Sequence, residues 1–309
     1  MKKQITGIVT YVALFVLCSV LCSAQGRPQQ RVHRGGFVPV DSATFALVTQ
    51  FYDFDKSLPL DTRVVEEWET DAARFEKIVF TTQSGERVPG ELALPKKGKQ
   101  PFPCVLFLHG LGNDRGRWWR DDRKPLPSGL LEQGIAVCTI DLQFHGERSA
   151  GNDYQSPVYL TFGNSLFVRN RDMVIQSTID SRRALMYLRQ RPEVDSTRMG
   201  VMGYSMGAMI ALQLSALEPD LRTVVVSAVP AIEQPLPIDH FNFAARSRVS
   251  TLLQFGRTDW LSSPQDAETL LKLLQGKANK LTLYESGHQL PPEKYVPDAL
   301  AWLVEKLKH

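Results

Sequence analysis

From about residue 75 onward, short apolar runs alternate with longer stretches of helical spacing, and this alternation limits the fold more than any other feature of the chain. Eight runs read as strands: Ile78–Thr82, Val88–Leu94, Cys104–Leu108, Ala136–Ile140, Met199–Gly203, Val224–Ala228, Thr251–Phe255 and Leu281–Tyr284. "CVLFL" and "AVCTI" are continuously apolar, as strands covered on both faces must be. The first two runs are separated by "QSGER", a hairpin-like turn. Between the others lie segments of helical spacing. Arg171–Arg191 carries Val174, Ile175, Ile179, Leu185, Met186 and Leu188, and Pro192 follows it. Met206–Leu217 is followed by Pro219, Pro264–Gln275 has proline in its first turn, and Pro292–Leu307 comes last. Alternation of this kind predicts an α/β fold, a mostly parallel sheet with helices on both faces. No internal repeat is visible.

With 309 residues, 43% hydrophobic and 22% charged, the chain has room for one large domain or two small ones. The net charge is only +3, and no basic run exceeds a few residues. Nothing there points to nucleic acid or an acidic polymer as partner.

The first residues read differently. "MKK" is a basic start, "ITGIVTYVALFVLCSVLCSA" is apolar and uncharged, and "CSA" is a small-residue exit. This is the pattern of a secretory signal peptide over residues 1–24, with cleavage after Ala24 and a secreted or periplasmic product. The alternative is an uncleaved anchor, since the run Ile5–Leu21 is nearly long enough to span a bilayer. Leu17 and Leu21 precede Cys18 and Cys22, which argues against a lipoprotein. Residues 25–36, "QGRPQQRVHRGG", read as a flexible linker. Residues 37–74 read as an N-terminal extension packed on the main domain of 75–309. It is expected to be helical in parts, through Phe45, Leu47, Val48 and Phe51 and then Val64, Val65 and Trp68. Cys104 and Cys138, inside apolar runs, read as buried free thiols. No CxxC or Cys/His cluster suggests a metal, and no cofactor motif occurs.

One pentapeptide falls at a strand-to-helix junction: Gly203-Tyr204-Ser205-Met206-Gly207. G-x-S-x-G in that context is a nucleophile elbow, with the serine in a tight turn above the sheet and the helix N-terminus aimed at it. The two glycines allow neighbouring elements to approach where a side chain would collide. Three further features supply what such a serine needs. "FLHGLG" follows the third strand and marks a loop that donates an oxyanion-hole N–H, that of Leu111, beside the N–H of Met206. Asp259, in "LLQFGRTDWLSSP", stands just past a strand end. His288, in "ESGHQLPPE", follows the last strand. Ser205, Asp259, His288 is the triad order of a single fold. Each residue has a bland reading as a turn serine, a capping aspartate or a surface histidine, but all of them together and in this order favour the catalytic one. Asp239, Asp266 and Glu233 are the rival acids.

These residues make residues 75 to 309 resemble the α/β-hydrolase superfamily, and within it the dienelactone-hydrolase-like and acetyl-xylan-esterase-like serine esterases. "PCVLFLHGLG", "IDLQFHGERS", "DSRRALMYLRQRPEVDSTRMGVMGYSMG" and "HFNFAARSRVSTLLQFGRTDW" carry the resemblance. It implies an eight-stranded, mostly parallel sheet and a serine nucleophile acting on carboxylic esters, with no cofactor. The founding dienelactone hydrolases use cysteine in the elbow, and Ser205 departs from them. Only Ala231–Arg248 separates the sixth and seventh strands, so the cap is minimal. The longer insertion, Leu142–Asn170, holds Phe144, Tyr154, Tyr159, Phe162 and Phe167 and is expected to wall one side of the pocket. His109, Trp118, Trp119, Phe144, His145 and Tyr204 are the candidate substrate contacts. His109 and His145, with Glu147 and Arg148, are read first as ordering their loops, since the triad is complete without them, and only second as substrate contacts.

The expectation is an exported carboxylester hydrolase preferring short acyl groups, with a small-molecule or carbohydrate ester as its partner. Two rivals stand beside it. A prolyl-oligopeptidase-like peptidase would need a large N-terminal propeller, for which residues 25–74 are too short. A non-catalytic hydrolase-fold binding protein would be marked by loss of a triad member, and none is lost.

Overall fold

The computed structural model describes residues 35–120, 122–163, 167–231 and 238–308, and among residues 162–167 it describes no side chain. The expected signal segment, most of the linker, Glu233 and the side chains of Phe162 and Phe167 lie outside these. Among the described residues no helix is long and apolar enough to cross a membrane.

Among the described residues nine strands form one sheet: β1 (Arg63–Glu69), β2 (Ala73–Thr81), β3 (Arg87–Pro95), β4 (Phe102–Leu108), β5 (Ala136–Ile140), β6 (Val194–Tyr204), β7 (Thr223–Ser227), β8 (Ser250–Gly256) and β9 (Lys280–Tyr284). Their order is β1-β2-β3-β5-β4-β6-β7-β8-β9. The six strands β4 to β9 are mutually parallel, and β1 to β3 add an antiparallel edge. The eight expected strands are all present. The ninth, β1, lies where helix was expected from Val64, Val65 and Trp68. Two features hid it. It is an edge strand with almost every side chain exposed, so burial imposes no alternation, and a register shift between Val64 and Glu66 breaks the period of two. Trp68 stacks on Phe75 of β2, with ring centroids 5.2 Å apart.

Among the described residues seven α-helices accompany the sheet: α1 (Ser42–Thr49), α2 (Pro125–Glu132), α3 (Phe167–Gln190), α4 (Met206–Leu217), α5 (His240–Ala244), α6 (Pro264–Leu273) and α7 (Pro292–Lys308). Successive residues of β4 point to opposite faces. Cys104, Leu106 and Leu108 join one core with α3, α4 and α6, while Val105 and Phe107 join the other with α2 and α7. Cys104 and Cys138 are buried free thiols, and burial pushes the Cys104 thiol up to about 12.

The segment before β2 is held by arginines of α3. Arg182 donates to the Tyr52 carbonyl at 2.7 Å, and Arg183 donates to the carbonyls of Thr81 at 2.7 Å and Pro59 at 3.0 Å. The insertion after β5 is pinned from below in the same way. Arg148 and Asp180, both buried, pair at 2.7 Å, and Arg148 also donates to Gln143. Asp141 takes the backbone N–H groups of Arg115 at 2.8 Å and Glu147 at 3.0 Å, together with the Arg115 guanidinium. Gly146, at φ +54°, leaves room for that carboxylate. A Cβ there would lie 2.3 Å from an Asp141 oxygen.

Burial first, with Glu86 adding to it, raises the Asp180 carboxyl above its ordinary value, and Arg148 opposes that. Arg148→Met is therefore expected to strand a buried carboxylate at a cost of about 3–5 kcal/mol, a melting temperature lower by about 10 °C. Adding Asp180→Asn should recover most of the loss. Thermal melts of the two variants check this, and a single variant that melts with the wild type would refute it.

Candidate active site

The carboxyl ends of β4 to β9 meet at one cavity of about 200 Å³, and Ser205, Met206, Leu111 and His288 are among its walls. Ser205 links β6 to α4 with φ +54° and ψ −115°, a left-handed conformation that few non-glycine residues adopt. Two glycines make the turn possible. A Cβ on Gly203 would sit 2.1 Å from the Gly207 carbonyl oxygen, and one on Gly207 would sit 2.2 Å from that of Leu108. The Ser205 N–H is anchored to the Ser227 carbonyl at 2.9 Å.

His288 approaches from the loop after β9, and Asp259 from the loop after β8. The two loops continue the strand pairing beyond the sheet. Arg257 N–H donates to Tyr284 O at 2.9 Å and Thr258 N–H to Ser286 O at 3.0 Å. A Cβ on Gly256 would lie 2.2 Å from the Gly287 carbonyl, so this close approach also depends on a glycine. His288 Nδ1 lies 2.8 Å from Asp259 Oδ2, and Nε2 lies 2.9 Å from Ser205 Oγ. An ionised carboxylate only accepts, so Nδ1 carries the proton and Nε2 is left to accept the serine O–H. Asp259 is held by the Leu261 N–H at 2.9 Å and by the Ser262 hydroxyl at 3.3 Å, and its side chain is fully buried. Of the rival acids, Asp239 caps α5 through Phe241 N–H, and Asp266 serves the capping box of α6 with Ser263.

Leu111 and Met206 flank Ser205 in the cavity wall. Met206 opens α4, so its N–H is one of the four that no carbonyl of the helix can accept. Gly110 lies under the elbow, where a Cβ would be 3.4 Å from Ser205 Cβ.

Four of the six side chains named as candidate substrate contacts are used elsewhere. His109, with no exposed surface, donates from Nδ1 to Gly110 O at 2.9 Å and accepts Leu142 N–H at Nε2 at 3.2 Å. His145 donates to Gln143 O at 2.7 Å and accepts Gly112 N–H at 3.1 Å. Each ring therefore ties the loop after β4 to the loop after β5. Burial lowers the His109 imidazole to about 4. Burial first, and then the adjacent His109, lowers His145 to about 3. Trp118 is buried edge-on to Phe107 in the second core, at 4.8 Å. Tyr204 is buried too, and its hydroxyl donates to His288 O at 2.8 Å and accepts Leu290 N–H at 3.0 Å. Trp119 is edge-on to Phe75, and Phe144 lies beneath Arg169. Neither is among the residues lining the cavity.

The walls come instead from Val158 and Thr161 of the insertion, Asn170 and Val174 of α3, Met209 of α4, and Trp260. The insertion does wall the cavity, but not through Tyr154 or Tyr159, which are 80% and 58% exposed. Sequence spacing contains a signal for some of these residues. Met209 lies four residues after Ser205, and Asn170 and Val174 are four apart, so each pair shares a helix face. Trp260 simply follows Asp259. A wider open hollow of about 840 Å³ lies elsewhere, around Pro39, Arg246 and Lys272, and contains none of the converging residues.

The sequence profile of the acetyl xylan esterase family (AXE1) matches residues 51–234, more than half of the chain. Among curated proteins, the Esterase FrsA of Yersinia pestis (strain Pestoides F) is 30% identical over 165 residues, 52% of this chain and 33% of that protein. The Yersinia pseudotuberculosis Esterase FrsA (serotype O:1b, strain IP 31758) matches to the same extent. The chain thus spans about a third of the length of these relatives. Among solved structures, Acetyl Xylan Esterase 1 from Thermoanaerobacterium sp. JW/SL YS485 superposes with a TM-score of 0.70 at 19% identity, over 86% of this chain and 94% of that one. An acetyl xylan esterase from Paenibacillus sp. R4 gives 0.69 at 19%, over 88% and 98%. These likenesses establish the α/β-hydrolase fold.

The two buried histidines make a pH prediction. Their folded values lie below the ordinary 6.5, so between about pH 4 and 6.5 the unfolded chain binds protons that the folded chain does not. Stability is then fully present above 6.5 and is lost as the pH falls toward 4. His145→Gln should reduce the slope of unfolding free energy between pH 5 and 6 by about 1 kcal/mol per pH unit. Urea titrations at the two pH values measure it, and an unchanged slope would mean that His145 is protonated in the folded protein.

Proposed function

The chain belongs to the acetyl xylan esterase family, and on that premise we propose that it is an exported serine carboxylester hydrolase that removes short acyl groups, acetyl above all, from small or carbohydrate esters. One observation carries the reading: Ser205, His288 and Asp259 are in hydrogen-bond sequence at 2.9 and 2.8 Å beside a cavity.

Ser205 Oγ attacks the ester carbonyl carbon while His288 Nε2 takes the hydroxyl proton. Asp259 fixes the ring through Nδ1–H and stabilises the imidazolium. The tetrahedral oxyanion lies against the N–H groups of Leu111 and Met206. Collapse expels the alkoxide, which takes the proton back from His288 and leaves an acyl-serine. Water, deprotonated by the same Nε2, then attacks the acyl carbon, and the acid departs with Ser205 restored.

The acyl preference rests on volume. Drug-sized ligands occupy pockets of about 300–1,000 Å³, and this cavity is about 200 Å³. Each buried methylene of a longer chain is worth about 0.8 kcal/mol, but only where a groove receives it. Export rests on the basic start and the apolar run Ile5–Leu21.

Ser205→Ala is expected to lower kcat on p-nitrophenyl acetate by on the order of a millionfold with the fold intact. Retention of a tenth of wild-type activity would remove the serine from the mechanism. Catalytic efficiency on acetyl should exceed that on octanoyl esters, and the same assay decides it. A ratio below one would mean that the walls at Val158 and Val174 open to a long chain.

A further inference from the structure

Beneath the loop that carries His288 lies a buried cation. Arg123 is only 4% exposed and makes no ion pair among the described residues. Its Nε and Nη1 are buried without a hydrogen-bond partner. The neighbouring carboxylate, Asp122, is bonded to Arg117 at 2.8 and 3.1 Å and acts on Arg123 only through space, as a minor influence beside burial. What Arg123 does touch is aromatic. Its guanidinium carbon is 3.9 Å from the centroid of the Tyr204 ring and 5.3 Å from that of Trp118. Tyr295, whose hydroxyl is also without a partner, lies beside Tyr204 with ring centroids 5.8 Å apart.

An unpaired buried charge is costly, and a neutral apolar side chain of the same length would ordinarily be as good or better for stability. Packing alone therefore gives no reason for an arginine here. The ring it covers supplies one. Tyr204 immediately precedes Ser205, and its hydroxyl is the clasp of the His288 loop, donating to the His288 carbonyl at 2.8 Å and accepting Leu290 N–H at 3.0 Å. A cation on the face of a phenol ring withdraws electron density and makes its O–H a stronger donor.

We propose that Arg123 is a positioning residue for the ester-cleaving site: through the face of Tyr204 it tightens the hydroxyl clasp on the His288 carbonyl, and so holds His288 Nε2 on Ser205. The inference rests on the hydrolase reading above. It assigns Arg123 no contact with substrate. Removing the charge should therefore reduce turnover without changing substrate affinity or stability.

The test is a mutant cycle in the full chain with p-nitrophenyl acetate as substrate, using Arg123→Met, Arg123→Lys, Tyr204→Phe and Arg123→Met with Tyr204→Phe. Arg123→Met should lower kcat at least tenfold, with KM within twofold and a melting temperature no lower than that of the wild type. Arg123→Lys, which keeps a cation over the ring, should recover most of kcat. In the Tyr204→Phe background, which lacks the hydroxyl, Arg123→Met should cost less than twofold. Unchanged kcat in Arg123→Met, or losses from the two sites that multiply, would overturn the proposal. If Arg123→Met does not fold, the same cycle is run with Arg123→Gln, and a multiplying loss there is equally fatal. Labelling of Ser205 by a fluorophosphonate separates the two levels. An unlabelled wild type would sink the hydrolase reading itself, whereas equal labelling rates in wild type and Arg123→Met would sink only the role of Arg123.

Discussion

The left-handed turn at Ser205 is the constraint on which the rest of the site depends. Holding a serine at φ +54° costs about 1–3 kcal/mol that a glycine would not incur. The surrounding backbone imposes it. Gly203 faces the Gly207 carbonyl and Gly207 faces that of Leu108, at separations no side chain tolerates. The turn is therefore locked between β4, β6 and α4. Its result is geometric. The serine hydroxyl stands off the sheet, and the residue behind it begins a helix whose first N–H groups have no carbonyl to bond. The exposed Ser205 hydroxyl and the free N–H of Met206 come from the same turn.

The partners of the serine are placed by a different device, the extension of strand pairing into loops. β8 and β9 continue to exchange backbone bonds through Arg257 and Thr258 after the strands end. Asp259 and His288 are therefore carried on a short ribbon rather than on two free loops. On the other side, two neutral histidines perform the equivalent task. His109 and His145 each give one nitrogen as donor and one as acceptor, and together they join the loop after β4 to the loop after β5. Burial keeps both rings neutral, and neutrality is what leaves each an acceptor. A protonated ring would confront the N–H of Leu142 or Gly112 with another donor.

Much of this was legible in the chain. The eight strands expected from apolar runs all form, because a strand buried on both faces must be apolar throughout and such runs are unmistakable. β1 was not legible, because an exposed edge strand with a register shift has no burial to impose a period. The convergence of Ser205, His288 and Asp259 was legible from their placement after strand ends, since all carboxyl ends of a parallel sheet lie on one side. The cavity walls were less so. Trp118 and Tyr204 look like substrate contacts by proximity in sequence, yet both face the core under the elbow. Side-chain direction decides this, and it is set by strand pleat and loop path. Spacing puts Asn170 and Val174 on one face of α3, but that this face is turned to the cavity is a tertiary contact that local spacing does not encode.

The two buried arginines show how differently the fold treats charge in its two layers. Arg148 sits under the insertion that supplies Val158 and Thr161, and it is paired with a buried carboxylate and bonded to Gln143. Its environment is that of a strut: removing Arg148 strands the buried Asp180 carboxylate, so the insertion cannot shift without breaking the pair. Arg123 sits under the His288 loop with its guanidinium on two aromatic rings, and among the described residues it makes no ion pair. A carboxylate there would hold the guanidinium in one place and draw its charge away from Tyr204. Aromatic faces compensate a cation without adding an anion. Under the insertion the buried arginine is compensated by a carboxylate, and under the His288 loop the buried arginine lies on the π-face of Tyr204.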